Sequence, residues 1–134
     1  MSDFFETKVP GKLADVQPAL EDRLKARKFG ILHVHDIRAT LEAKGVPFAT
    51  PLVIMDICNP VYAKQSLEAT GNRIAPLLPC SIALWQDGAE VVVRFVRPAV
   101  LARFFPESVE LGRIAAEVEA GVLAAVGELP GSAG

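Results

Sequence analysis

The sequence predicts an α+β domain: one predominantly antiparallel sheet with helices packed mainly on one face. The expected element order is β-α-β-α-β-α-β-β-α. Three observations lead there. Asp87-Gly88 separates two apolar runs, a strong signal for a two-residue hairpin. Val16, Leu20 and Leu24, and later Leu111, Ile114, Ala115, Val118 and Val122, recur at helical spacing. Between them, Leu52 to Cys58 is a nearly continuous apolar run that ends in Asn59-Pro60, a strand leading into a helix.

Phe5 to Val9 alternates and should be a strand stopped by Pro10-Gly11. The next helix is expected from about Val16 to Lys28. Pro18 sets its start, because proline in a helix interior removes a hydrogen bond, whereas an Asp15 N-cap would put Pro18 in the first turn. Phe29 to His35 reads as a strand with His33 and His35 on one face. Asp36 is a good N-cap for a short helix, and Gly45 a good stop. Leu52 to Cys58 is expected as a central strand buried on both faces. The helix after Asn59-Pro60 should run to about Ala69, with Ala63 and Leu67 inward. Ile74 to Pro79, an apolar loop with two prolines, should be stiff and packed.

In the hairpin, a turn centred on Asp87-Gly88 pairs Gln86 with Ala89, Leu84 with Val91, Ile82 with Val93 and Cys80 with Phe95. The face holding those apolar residues from 80 to 95 should meet the core. The Trp85 face is mixed and either exposed or covered by a partner. A short turn through Leu101 and Phe104 precedes a last helix from about Glu107 to Val126. Residues 1–127 are expected as one domain and 128–134 as a flexible C-terminal tail.

At 134 residues, with 51% hydrophobic and 22% charged residues, the chain can bury a core and is not disordered. A net charge of −2 argues against nucleic acid as a partner. The one basic cluster, Arg23, Lys25, Arg27 and Lys28, suits the solvated last turns of a helix. No basic segment followed by an apolar core opens the chain, so no signal peptide is expected. No apolar run reaches the ~20 residues of a membrane span. A cytoplasmic protein with two free thiols is the expectation.

Both cysteines lie in the stretch from Ile57 to Cys80. Cys58 directly precedes a helix N-cap, where free N–H groups and the helix dipole can stabilise a thiolate. The plainer reading is a small core hydrophobe at a strand end. Cys80 falls on the core face of the hairpin, where packing is the first explanation. His33 and His35 have a spacing that can chelate zinc or copper, and with the cysteines would make a Cys2His2 set. No Cys-x-x-Cys pair accompanies them, so they are only weak candidates and no metal is assigned. No phosphate loop, nucleophile elbow or paired carboxylates are present. No cofactor can be named.

From Lys28 to Pro98 the chain resembles a bacterial and archaeal family known as domain of unknown function 302. The resemblance rests on Phe29-Gly30-Ile31-Leu32, Asp36-Ile37-Arg38-Ala39-Thr40-Leu41, Cys58-Asn59-Pro60 and Leu77-Leu78-Pro79-Cys80, in that order. With the helix before Phe29 it covers well over half the chain. It implies a compact α+β domain, often a homodimer, with no established activity. Asp56 stands where the family usually has glycine, Lys64 where a histidine is often expected, and Ala75-Pro76 replaces a Gly-Leu-like pair. Lys64 could place a cation near Cys58.

Two functional readings follow. The first is a homodimeric small-ligand-binding or accessory module with a site near Cys58, Asn59, Lys64 and Cys80. Its ligand could be a small thiol, a sulfur species, a haem-like group or an apolar metabolite. The alternative is a cysteine-dependent enzyme or thiol carrier, with Cys58 as nucleophile and Cys80 as resolving thiol. A structural protein meeting a partner through the Trp85 face is a third.

Overall fold

The computed structural model describes residues 2–132. In chain order the elements are β1 Phe4–Pro10, α1 Leu13–Ala26, β2 Gly30–Asp36, α2 Ile37–Ala43, β3 Leu52–Cys58, α3 Pro60–Ala69, β4 Cys80–Asp87, β5 Glu90–Val96, α4 Pro98–Leu101 and α5 Val109–Gly127. Single 3₁₀ turns cover Ala75–Leu77 and Ala102–Phe104. The five strands form one sheet in the order β1-β5-β4-β3-β2, and every neighbouring pair is antiparallel. The α+β expectation holds. β1 and β2 end up on opposite edges, so the connection carrying α1 must cross the sheet.

Direct cross-strand partners share a face, so the core can be read from the pairings. Val53 meets Leu84, which meets Val93; Met55 meets Ile82. These residues, with Val91 and Phe95, are buried against Val16, Leu20 and Leu24 of α1 and Val122, Ala125 and Val126 of α5. Gly121 lets α5 approach the core closely: a Cβ there would lie 3.0 Å from the Phe29 ring.

The hairpin register differs from the expected one. Asp87 pairs with Glu90, and Leu84 with Val93. The turn is Gly88-Ala89, with Gly88 at φ 61° in the first central position, where a type II′ turn needs glycine. Moving the turn centre by one residue shifts each partner by two. Two is the side-chain period of a strand, so the expected core face survives although every pair changes.

β3 departs too. Val53, Met55 and Ile57 are buried, while Leu52, Ile54, Asp56 and Cys58 are only half-buried. The strand is therefore covered on one face. Most of the buried helical residues serve that face or the cavity described below. The other face holds Ile54, Ala83 and Trp85, half-buried, around Val92, which is 3% exposed.

α1 begins at Leu13, earlier than expected, and Pro18 lies inside it. Lys12, at the N-cap, makes no side-chain cap. Gln86 supplies one from the hairpin: its Oε1 accepts from the Leu13 amide at 2.8 Å. An acceptor brought from β4 could not be seen in the local sequence.

α2 and α3 start as expected. Asp36 accepts from the Ala39 amide at 3.0 Å. α5 starts at Val109, with the Ser108 hydroxyl accepting from the Leu111 amide at 3.2 Å. Past α5 the chain stays packed. Glu128 pairs with Arg27 at 2.8 Å, and Leu129 is 3% exposed. The expected tail therefore begins within the packed body; its last residues, 133 and 134, lie outside the described ones.

Candidate functional site

A cavity of about 280 Å³ opens beside the strand ends where β3 stops and β4 starts. Ile57 and Cys80 are direct partners across those strands, and Cys58 follows Ile57. The two cysteines are thus neighbours at one end of the sheet, and both are unbridged. α3 forms one wall through Tyr62, Ala63 and Ser66; α4 and α5 form another through Leu101, Ile114 and Val118. Ile74 and the Leu78–Pro79 segment, joined by a cis peptide bond, close a third side.

Local bonds hold these walls. The Thr70 hydroxyl donates to the Ser66 carbonyl at 3.0 Å and accepts from the Ile74 amide at 3.2 Å, tying the end of α3 to the loop. Ile74, at 2% exposure, anchors that loop. Across the cavity, the Glu119 carboxylate of α5 accepts from the Arg97 guanidinium at 2.8 Å and from the Ala99 amide at 3.2 Å, which fixes α4.

The start of α3 is closed to an anion. Asn59 Oδ1 accepts from the Val61 and Tyr62 amides at 3.1 and 3.3 Å. The Ala63 amide donates to the Asn59 carbonyl, and Pro60 has no donor. The N–H groups that would stabilise a Cys58 thiolate are already engaged. Burial pushes the Cys80 thiol up from its ordinary value, and the neighbouring Cys58 adds to this. A group raised this way is neutral at pH 7 and ionises only at alkaline pH. Cys80 should therefore resist iodoacetamide in the native protein at pH 7 and gain reactivity only as pH rises. Site-resolved mass spectrometry tests this; peptide-like reactivity of Cys80 at pH 7 would contradict it.

The other expected site residues are not brought here. Lys64 lies on the outer side of α3, its side chain 78% exposed and 3.8 Å from Glu68. It lines a separate groove with Pro60 and Val61. His33 and His35 pair with Asp56 and Ile54 on the sheet face away from the core. Their rings lie 4.3 Å apart. Among the described residues, no three His, Cys, Asp or Glu side chains are grouped to hold a metal ion.

Asp56 has a partner set of its own. His35 Nε2 lies 2.7 Å from one carboxylate oxygen, and the Ser81 hydroxyl donates to the other at 2.9 Å. Burial pushes this carboxyl up, but those hydrogen bonds and the nearby His35 and His33 charges outweigh it and hold it below its ordinary value. In a catalytic triad the serine hydroxyl bonds to the histidine; here it bonds to the carboxylate, so the cluster is no nucleophile.

Ser66 and Tyr62 were missed as site residues. A signal was present: Tyr62, Ser66 and Thr70 are hydroxyl residues spaced four apart, one face of a helix. The walls from α4 and α5 come from a remote part of the chain and left no local mark.

Fold and site together define a small α+β domain with an uncharged cavity at one end of an antiparallel sheet. The family model described as domain of unknown function DUF302 matches residues 5–129, and the chain belongs to that family. Its fold is similar to that of an uncharacterised conserved DUF302 protein from Bacillus stearothermophilus, known from a crystal structure. That likeness has a TM-score of 0.87 at 26% sequence identity, covering 96% of this chain and 99% of the other. No curated protein matches the chain.

Proposed function

We propose that this chain is a homodimeric small-ligand-binding module whose site is the cavity beside Cys58, Asn59 and Cys80. The observation that carries the reading is the cavity itself: about 280 Å³, walled by five separate segments, with no charged side chain in its lining. Ligand sites are concave, mostly apolar and supplied with a few polar groups. A cysteine enzyme is less well supported, because the helix-start donors are taken and the Cys80 thiol is held neutral. Two unbridged cysteines fit a reducing, cytoplasmic setting.

The dimer is supported by the sheet face around Trp85, where Ile54, Ala83 and Trp85 are only half-buried and leave apolar surface for a partner. Five strands about 4.8 Å apart, each seven or eight residues long, make a face of roughly 24 Å by 23 Å. Two such faces packed together bury on the order of 1,100 Å², just past the ~1,000 Å² that a specific interface needs. A second copy can supply such a face, with side chains interdigitating as in a β-sandwich.

Two measurements test the proposal. The wild type should enhance N-phenyl-1-naphthylamine fluorescence, and Ala63→Phe, which puts a ring into the cavity, should weaken binding at least about tenfold. Binding unaffected by Ala63→Phe would place the dye elsewhere and defeat the reading. In sedimentation, the wild type should run as a dimer and Trp85→Glu as a monomer; a monomeric wild type at ~100 μM would rule out the assembly.

A further inference from the structure

We infer that the cavity takes an uncharged, largely apolar ligand of one to two rings, held by a single hydrogen bond to the Ser66 hydroxyl. This rests on the proposed binding role and adds the chemical class of the ligand.

Size comes first. An apolar cavity of about 150 Å³ accepts benzene. At about 280 Å³ this one has nearly twice that room. It reaches the surface at Leu32, which lines it and is 60% exposed, so a ligand can enter.

Charge comes second. An ion entering the cavity would lose its hydration and find no counter-charge. The nearest group of backbone donors, at the start of α3, is spent on Asn59. Lys64, the nearest cation on that helix, faces solvent and pairs with Glu68. Carboxylates, phosphates and ammonium groups are therefore disfavoured.

The third observation points to the ligand itself. Ser66 lines the cavity and is 7% exposed. Its backbone carbonyl is used by Thr70, but no hydrogen bond engages its hydroxyl. A helical serine usually escapes this by bonding back to the carbonyl four residues earlier, and here it does not. The Ser66 oxygen borders the open space of the cavity, since the fully enclosed unpartnered side-chain atoms among the described residues are Thr7 Oγ1 and Gln65 Oε1. A hydrogen bond made there, away from bulk water, is stronger than one in water. A hydroxyl, carbonyl or ring nitrogen on an otherwise apolar ligand would satisfy Ser66, which can both donate and accept.

The test uses three probes of one shape: naphthalene, 2-naphthol and 2-naphthoate, each displacing N-phenyl-1-naphthylamine at pH 7. In the wild type, 2-naphthol should bind roughly five- to tenfold tighter than naphthalene, the effect of one hydrogen bond. The anion 2-naphthoate should bind at least about tenfold more weakly than naphthalene. Ser66→Ala should remove the preference for 2-naphthol over naphthalene, with an unchanged thermal melt and circular dichroism spectrum reporting that the variant is folded. Preference for 2-naphthoate, or a 2-naphthol preference that survives Ser66→Ala, overturns the inference while leaving a binding site that Ala63→Phe still blocks. Failure of every probe to bind the folded wild type overturns the binding reading and the inference together.

Discussion

Ile57→Ala should lower stability by about 2–5 kcal/mol and enlarge the cavity. Ile57 lies in β3, 2% exposed, paired with Ile31 on one side and Cys80 on the other. Its side chain belongs to the buried core and also forms part of the cavity wall. Truncation removes the transfer energy of the lost carbons and leaves empty volume that the strand ladder on both sides cannot close. Against a typical total of 5–15 kcal/mol this is a large loss. Urea unfolding should show a lower midpoint at unchanged slope. The same variant should bind probes too bulky for the wild type. A loss below about 1 kcal/mol would show that the walls collapse into the space, and a cavity that collapses is not preformed.

That residue also shows what could be read from the chain. Its strand, the Asn59-Pro60 helix start and the hairpin after Cys80 are local patterns, and each forms in the expected part of the chain, the hairpin with its turn moved by one residue. The core face of the hairpin was legible despite a wrong register, because parity along a strand depends only on shifts of one residue. The burial of β3 was not. A continuous apolar run looks alike whether helices cover both faces or a second molecule is expected on one. Only the sheet order, with every helix that buries residues on the same side, separates those cases.

The site was half legible. Cys58, Asn59 and Cys80 mark the strand ends, and they do line one cavity. Proximity to a helix start suggested an activated thiol, but the same sequence feature, Asn59 as N-cap, consumes the donors that activation requires. Lys64 follows the cysteine by a turn and a half of chain, yet helical geometry turns it to solvent while Ala63 and Ser66 face inward. Leu101, Ile114 and Val118 read only as core positions, since nothing local says that the core they line is incomplete.

Gln86→Ala should destabilise the protein by about 1.5–5 kcal/mol. Gln86 looks like an ordinary polar residue at a hairpin end, but its amide joins three parts of the chain. Oε1 caps α1 through the Leu13 amide at 2.8 Å, and Nε2 donates to the carbonyls of Gly11, Gly88 and Glu90 at 2.9, 3.0 and 3.1 Å. Losing a helix cap costs about 0.5–2 kcal/mol. Each of the two amide hydrogens, shared among the carbonyls, contributes about 0.5–1.5 kcal/mol. Lys12 offers no replacement cap. Gln86→Glu keeps an oxygen for Leu13 but aims a carboxylate at three carbonyls, so it should fail to rescue, whereas loss of the cap alone would be rescued. Thermal melts of the two variants decide this, with amide exchange at Leu13 as the local readout. A change within about 0.5 kcal/mol for Gln86→Ala would mean that water replaces every bond, and the tie between the hairpin and α1 would then come from packing alone.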